Sequence, residues 1–285
     1  MAGAFALVIG FSLSVLANEY PALDEGNGSF APQRVVSMNL CTDQLAMLIA
    51  DDGQLISVSA LAVDPLNSAM AEQAQRYPLN HGRAEEIHLL QPDLVIAGRF
   101  NAGPTVDMLR RLGIPVVVFD PANSLEDIRN NISRMGEVLG QPDRAAEVIV
   151  DFDQRLAMLA EPPVDPPRAA LYFPNGYTRG EQTLLGDIVR QAGFANIAEE
   201  ADVQTGAHMP LEHLVMAEPD VIITGSRHDG KSRSENILQH PVLDEAARWQ
   251  SSHELTTSDW VCGTPQALAA VERIGALRGT LMGAR

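Results

Sequence analysis

The amino-acid sequence predicts an α/β protein of two lobes, each built on a mostly parallel central sheet. A single long linker helix joins the lobes, and a ligand cleft lies between them. Three observations lead to this fold class. Short β-branched strands alternate with amphipathic helices, a helix–Pro–strand motif occurs twice, and a long helix with a Pro-rich stop separates the two occurrences. Ligands of such sheets bind beyond the carboxyl ends of the strands.

The composition excludes several classes of function. The chain has 285 residues, with 20 Lys and Arg against 37 Asp and Glu, so its net charge is −17. A nucleic-acid partner needs clustered cations, so we expect none, and an anionic membrane surface is equally disfavoured. Two cysteines are too few for a disulfide scaffold or a four-cysteine zinc module.

The N-terminus predicts export. Residues 1–17 are uncharged and mostly apolar, and Val15 and Ala17 fit a small-residue cleavage site. The run is shorter than the ~20 residues that span a bilayer, so we expect a signal peptide cleaved near Ala17 and no membrane insertion afterwards. Residues 18–33 form a polar leader.

The N-terminal α/β lobe is predicted at residues 34–140. Its strands are apolar runs that follow turns or prolines, and its helices carry apolar residues at helical spacing. The predicted strands are 34–38, 55–60, 94–98 and 116–119, and the predicted helices are 42–50, 85–91, 104–112 and 124–140.

Residues 141–167 are predicted as the linker, with one helix at 143–160 and the Pro-rich stop EPPVDPP after it. The C-terminal α/β lobe, residues 168–285, then begins a second strand–helix series. Its predicted strands are 169–173, 220–225 and 253–257.

A repeated motif is the strongest internal signal. The segment beginning at Glu85 and the segment beginning at Glu212 both fit E-x-[IL]-x-x-x-x-P-D-[LV]-[VI]-I. Ordinary helix–Pro–strand corners explain the Pro and the apolar strand, and a first-turn Glu favours the helix dipole. The paired Glu residues nevertheless occupy one position in two related lobes.

Enzyme signatures are not found in the sequence. There is no phosphate-binding GxxxxGK[ST], no GxGxxG after a strand and no GxSxG elbow. We therefore expect a binding protein rather than an enzyme. The alternative from another class is an enzyme on a similar two-lobed frame, of the nucleotide-sugar transferase or metal-cluster oxidoreductase type.

Five segments carry a family resemblance. They read RVVSMNLCTDQLAML, AEEIHLLQPDLVIAGR, RRLGIPVVVFD, PLEHLVMAEPDVIITG and LTTSDWVCGTPQAL. Together they resemble the periplasmic binding proteins of ABC importers for cobalamin and iron–chelate compounds. The resemblance implies a periplasmic monomer that delivers a small-molecule metal chelate to a permease dimer. It implies that Glu85 and Glu212 dock on arginines of that permease.

The resemblance also implies ligand contacts from four loops at the cleft. They map to Asn39, Cys41, Thr42 and Asp43 after the first strand, Arg99 after the strand 94–98, Tyr177 after AALYF, and Asp259, Trp260 and Cys262 before the last helix. No cofactor of its own is implied, and the transported ligand contains cobalt or iron. The Ser258-Asp259-Trp260 run is most similar to the cobalamin-binding members. An iron(III)–siderophore or haem remains the alternative, since aromatic residues make up only 5% of the chain.

Cysteine and histidine side chains leave alternatives open. Cys41 and Cys262 fall in loops of opposite lobes; separate buried apolar residues are the first expectation, with a disulfide or thiolate ligands as alternatives. His81 and His208 each precede a repeat Glu by four residues, so they are candidate metal ligands or exposed histidines. Arg99 suits either an anionic ligand edge or a solvated loop.

Overall fold

The computed structural model describes residues 31–101, 103–159, 163–224, 233–245, 252–254 and 258–283. The predicted signal peptide and nearly all of the polar leader lie outside these residues. In the part of the chain described, no helix is long and apolar enough to cross a membrane.

The first sheet has five parallel strands in the order β3-β2-β1-β4-β5. Four of the strands match the predicted runs to within a residue or two, whereas the two-residue β3 was not predicted. The strands are β1 (Val35–Ser37), β2 (Leu55–Ser59), β3 (Leu79–Asn80), β4 (Leu94–Gly98) and β5 (Val116–Phe119). Helices α1 (Leu40–Ile49), α2 (Ala71–Ala74), α3 (Ala84–Leu89) and α4 (Gly103–Arg111) connect them.

Two consecutive helices lead out of the first sheet. In α5 (Leu125–Leu139), the Ser124 hydroxyl accepts the N–H of Asp127, and the helix ends at Gly140 with φ 68°. Helix α6 (Pro142–Ala157) begins with Pro at its first turn and is the predicted linker.

The second sheet has four parallel strands in the order β11-β10-β6-β8. They are β6 (Arg168–Leu171), β8 (Ala195–Asn196), β10 (Val221–Thr224) and β11 (Ser252–Glu254). An antiparallel pair, β7 (Tyr177–Arg179) with β9 (Gly206–His208), lies outside that sheet and was not predicted. The helices are α7 (Leu184–Gln191), α8 (Leu211–Ala217), α9 (Pro241–Glu245) and α10 (Ala267–Gly283).

One apolar core extends through both lobes. Val35 of β1, Phe152 of α6 and Leu171 of β6 belong to the same buried cluster. Alternate residues of the strands face separate clusters, because successive side chains of a strand point to opposite faces. Helices therefore cover both faces of each sheet, and the predicted fold class is confirmed. A shared core restricts the relative motion of the lobes.

Candidate functional site

The Pro–Asp end of the repeated motif has a structural role in the first lobe. The Asp93 carboxylate accepts the N–H groups of Gln33 at 2.7 Å and Arg34 at 3.0 Å. The Arg34 guanidinium donates to the carbonyl oxygens of Leu90 at 2.7 Å and Gln91 at 3.0 Å. These bonds fix the end of α3 to the start of β1, because they satisfy carbonyls that a helix end leaves unpaired.

The second lobe repeats this arrangement. The Asp220 carboxylate accepts the N–H of Arg168 at 2.7 Å, and the Arg168 guanidinium donates to the Glu218 carbonyl at 3.3 Å. The backbone agrees too, since Gln91 and Glu218 have φ of 49° and 46°. The sequence had indicated the repeat, but the matching arginines lie outside its consensus.

Glu85 and Glu212 project outward from the first turns of α3 and α8. Both are exposed, while Ile87 and Leu214, two residues later, are buried and fix which face of each helix turns inward. Burial, and to a smaller degree the negative charge of Glu212, raise the pKa of Tyr172. The outward direction suits the docking predicted for these residues, and their role as docking residues stays a prediction.

His81 is bound to a carboxylate of its own lobe. Its N–H donates to Glu86 at 2.8 Å, and its Nδ1 lies 3.1 Å from the other Glu86 oxygen. Slight burial works against the charged form, yet the bonds from His81 hold the pKa of Glu86 below its usual value. His208 lies in β9, paired with Tyr177. Within the described ranges, no group of three or more His, Cys, Asp and Glu side chains is arranged to hold a metal ion.

The loop after β1 is built by local hydrogen bonds. The Asn39 side chain caps α1 by accepting the N–H groups of Cys41 at 3.1 Å and Thr42 at 3.4 Å. It also packs on Gly98, where an added Cβ would lie 2.9 Å from Asn39. The Thr42 hydroxyl is buried and lies 2.8 Å from that of Ser37. Asn39 and Thr42 thus stabilise the loop, and the Thr42 hydroxyl is not accessible to a ligand in this conformation.

Asp43 is buried against β2, which departs from its predicted place at the cleft surface. Its Oδ2 accepts the backbone N–H of Ser59 at 3.1 Å and also the Ser59 hydroxyl. Burial raises the pKa of Asp43 to about 6, although hydrogen bonds from Ser37 and Ser59 act in the opposite direction. The carboxylate therefore bonds inside the protein and does not reach a ligand in this conformation.

Arg99 is exposed at the end of β4 and forms an ion pair with Asp120. The hydrogen bond from Arg99 lowers the pKa of Asp120, despite slight burial. Phe100, the next residue, is 83% exposed. This edge therefore presents a donor, an acceptor and an aromatic face together, and Asp120 is a polar group that the sequence did not single out.

Tyr177 presents the exposed aromatic face of the second lobe. Its side chain is 39% exposed, and the guanidinium of Arg179 lies 4.9 Å from the ring centroid. Arg179 was not predicted for this site. No local signal in the sequence indicated it, because Arg179 shares a face with Tyr177 only through β7, a strand that was not predicted.

Asp259 and Trp260 differ from the prediction. Asp259 is bonded by the Arg273 guanidinium of α10, with nitrogen–oxygen distances of 2.5 and 3.1 Å. Trp260 is 2% exposed and belongs to the core shared by both lobes. Its ring therefore packs inside the protein and is not exposed for the ligand contact that the resemblance implies.

Cys41 and Cys262 are joined by a disulfide. The expectation of two separate buried thiols is wrong, and so is that of thiolate ligands, because a bonded sulfur offers no thiolate. The bridge brings the loop after β1 next to the loop before α10. Asn101 donates to the Met38 carbonyl at 2.9 Å, so the loop after β4 joins the same group. Arg227, which follows the second segment of the repeat as Arg99 follows the first, lies outside the described residues.

A family model and curated relatives match most of the chain. A family model described as "Periplasmic binding protein" matches residues 35–247. The cobalamin-binding protein of Halobacterium salinarum is 29% identical over 74% of this chain, which spans only 58% of that protein's length. The vitamin B12-binding protein of Pectobacterium atrosepticum is 28% identical over 77% of this chain and 82% of its own.

A solved structure shows the same fold. The periplasmic vitamin B12-binding protein of Vibrio cholerae has a TM-score of 0.66 and 21% identity, covering 88% of this chain and 98% of its own. At that identity the likeness is one of architecture alone.

Proposed function

The chain belongs to the periplasmic binding protein family, and on that premise we propose that it captures a metal chelate and delivers it to an ABC importer. A corrinoid is the first candidate, and haem or an iron(III)–siderophore is the second. The curated relatives bind cobalamin or vitamin B12 by their names. The metal enters as cargo, and the protein needs no cofactor of its own.

The Arg99–Asp120 pair is the single observation that carries the choice of ligand. A pair of opposite charges offers donors and an acceptor side by side, which suits the neutral amide groups at the edge of a corrinoid. A chelate with carboxylate edges would meet the charge of Asp120 as well as that of Arg99. Phe100 and Tyr177 supply exposed aromatic faces for a flat ring.

The ligand surface proposed here is smaller than the set predicted from the sequence. It consists of Arg99, Phe100 and Asp120 on the first lobe and Tyr177 with Arg179 on the second. The proposal assigns a structural role to the remaining predicted residues, which bond or pack within the protein: Asn39, Thr42, Asp43, Asp259, Trp260 and the Cys41–Cys262 disulfide. The rim histidines His81 and His208 stay outside the proposed surface.

Docking on the permease is proposed through Glu85 and Glu212. One outward carboxylate on each lobe gives a two-point, charge-assisted contact with a basic permease surface. The same proposal includes a monomeric state, with lobes at 34–140 and 168–285 and a linker at 141–167. A small closure motion is expected, since one core serves both lobes.

Export is proposed from the sequence of residues 1–17, with cleavage near Ala17 and release into the periplasm. A disulfide supports this location because such bonds persist in oxidising compartments.

Calorimetric titration with cyanocobalamin, hemin and a ferric hydroxamate tests the ligand proposal. We expect the corrinoid to bind tightest, and Tyr177→Ser to weaken it about tenfold through loss of stacking. Asp120→Asn should shift the preference toward hemin, whose carboxylates would then meet the charge of Arg99 without that of Asp120. Tight hemin binding with no corrinoid binding in the unaltered chain would refute the corrinoid choice and leave the second candidate.

A further inference from the structure

Two large apolar side chains stand out from the surface at equivalent positions of the repeat. Leu89 of α3 is 81% exposed and Met216 of α8 is 80% exposed. The repeated motif aligns these positions, since each lies four residues after its Glu. Single exposed apolar residues are ordinary on protein surfaces. Two that match in repeat position and in exposure are not explained by chance exposure.

The geometry of a helix places each of these side chains beside the proposed docking carboxylate. Residues four apart lie on one face of a helix, one turn from each other, so Leu89 neighbours Glu85 and Met216 neighbours Glu212. Ile87 and Leu214 are fully buried on the opposite side of the same helices, which fixes the outward direction of the pair. Each lobe therefore presents a carboxylate and an apolar side chain together.

We infer that Leu89 and Met216 are apolar docking knobs, each filling an apolar socket of the importer's permease beside the basic group that binds the neighbouring Glu. The inference rests on the proposed function and extends it to residues outside the carboxylate pair. A buried, well-packed apolar anchor surrounded by polar contacts is the arrangement that dominates binding energy at protein interfaces. The carboxylates then direct the encounter, and the knobs slow dissociation.

Charge favours the permease over other occupants of this surface. In a second copy of this chain, the knobs would bring Glu85 and Glu212 against like charges, which opposes association. A chain with a net charge of −17 is likewise repelled by an anionic lipid surface. A partner with apolar sockets flanked by cations matches both parts of each knob. A permease dimer offers two such sockets, one for each lobe.

The test measures binding of the full chain to its importer, permease with ATPase subunits, reconstituted in nanodiscs. The variants are Leu89→Ser, Met216→Ser and their combination, beside Glu85→Gln with Glu212→Gln. Leu66→Ser with Met158→Ser is the matched control, because these side chains are 64% and 79% exposed and belong to neither of the repeat helices α3 and α8. Affinity is measured at several salt concentrations, and ligand affinity, thermal stability and self-association are measured on every variant.

We expect each knob variant to weaken importer binding about tenfold, and the double variant about a hundredfold. Apolar contacts are not screened by salt, so the knob variants keep the salt dependence of the unaltered chain, whereas the glutamine variants reduce it. The control pair binds normally, and ligand affinity is unchanged throughout.

Three results would overturn the inference. If the knob variants bind the importer normally and the glutamine variants bind it more weakly, the knobs have no role in docking and the proposed function still holds. If both sets of variants bind normally, or if the unaltered chain does not bind the importer, the proposed docking is wrong. The role of the knobs is then wrong as well. A loss of self-association with no change in importer binding would make this surface an interface between copies of the chain.

Discussion

Cys41, in the first turn of α1, is covalently bonded to Cys262, in the loop that precedes α10. The two cysteines are 221 residues apart in the chain and belong to opposite lobes. The bridge holds together two of the loops that the family resemblance places at the cleft. It lies beside a core that already runs through both lobes, so covalent and apolar contacts both limit how far the lobes separate.

Removal of the disulfide is predicted to destabilise the protein strongly. Closing a loop of this length restricts the unfolded chain, so Cys41→Ser with Cys262→Ser should lower the free energy of unfolding by about 4–5 kcal/mol. Chemical denaturation in urea measures the loss. The unaltered chain under reducing agent should match the double variant, which itself should not respond to the reductant. A loss below about 1 kcal/mol would contradict a constraining role of the bridge.

Asp43 is predicted to give the protein a stability that falls with rising pH. Its pKa is about 6 in the folded chain against an ordinary value of 3.8, so the folded state favours the protonated form. Its contribution is fully present below about pH 4 and is lost as the pH rises through 6. Because the folded and ordinary pKa values differ by about two units, the free energy of unfolding falls by about 3 kcal/mol over this range.

Asp43→Asn isolates this effect because the amide keeps an oxygen for the Ser59 donors and carries no charge. The difference in unfolding free energy between variant and unaltered chain should grow in favour of the variant from pH 4 to pH 7. Asp107→Asn, at an exposed position of α4, serves as the control. A difference that does not change with pH would show that Asp43 ionises normally.

The carboxylates of Asp93 and Asp220, at the Pro–Asp end of each repeated motif, are predicted to stabilise both lobes alike. Asp93→Ala removes the acceptor of two backbone N–H groups, and Asp220→Ala removes the acceptor of the Arg168 N–H. Each should cost about 2 kcal/mol, as charge-assisted hydrogen bonds do, and leave ligand affinity unchanged. Thermal unfolding with ligand titration checks both, with Asp107→Ala as the exposed control. Stability within 0.5 kcal/mol of the control, roughly the spread of neutral surface changes, would be the contrary result.

Glu199 is predicted to keep its proton up to near neutral pH. A hydrogen bond that the protonated Glu199 carboxyl donates to the Glu181 side chain, with smaller effects of burial and charge, raises the pKa of Glu199 to about 7. Glu181→Gln should return that pKa toward the ordinary 4.5, because the amide donates to the Glu199 carboxylate and removes a like charge. Carboxyl NMR titration measures the change, and Glu200→Gln is the neighbouring control. A Glu199 pKa that stays near 7 in Glu181→Gln would rule out the hydrogen bond to Glu181 as the cause of the shift.

Much of the fold was predictable because its strands are continuous apolar runs bounded by turns. Strands β4 and β5 have the predicted bounds, and α5 and α6 agree to within a few residues of the cap and Pro signals. Strands β3 and β8, with two residues each, are too short to show a period. The pair β7 and β9 depends on contacts between segments distant in the chain, which local patterns do not contain.

The site residues were predicted less well than the fold, because burial in the folded protein decides which side chains can reach a ligand. Their positions in loops placed Asp43, Asp259 and Trp260 at the cleft. In the structure, Asp43 bonds to Ser59, Asp259 bonds to Arg273, and Trp260 packs in the shared core. The sequence could not indicate that the two cysteines meet, since bridging distance is a property of the tertiary structure. Asp120 had a usable signal, because it directly follows the predicted strand 116–119, whereas Arg179 had none, because local patterns do not show its strand β7.

The visible absorption spectrum of the chain purified from its native periplasm tests the central claim most directly. Corrin, haem and catecholate–iron chromophores absorb at different wavelengths, so one spectrum identifies the class of cargo. We expect a corrin spectrum, or its appearance at one equivalent when cyanocobalamin is added to colourless protein. A protein that stays colourless after incubation with cobalamin, hemin and ferric chelates followed by gel filtration would contradict capture of a metal chelate.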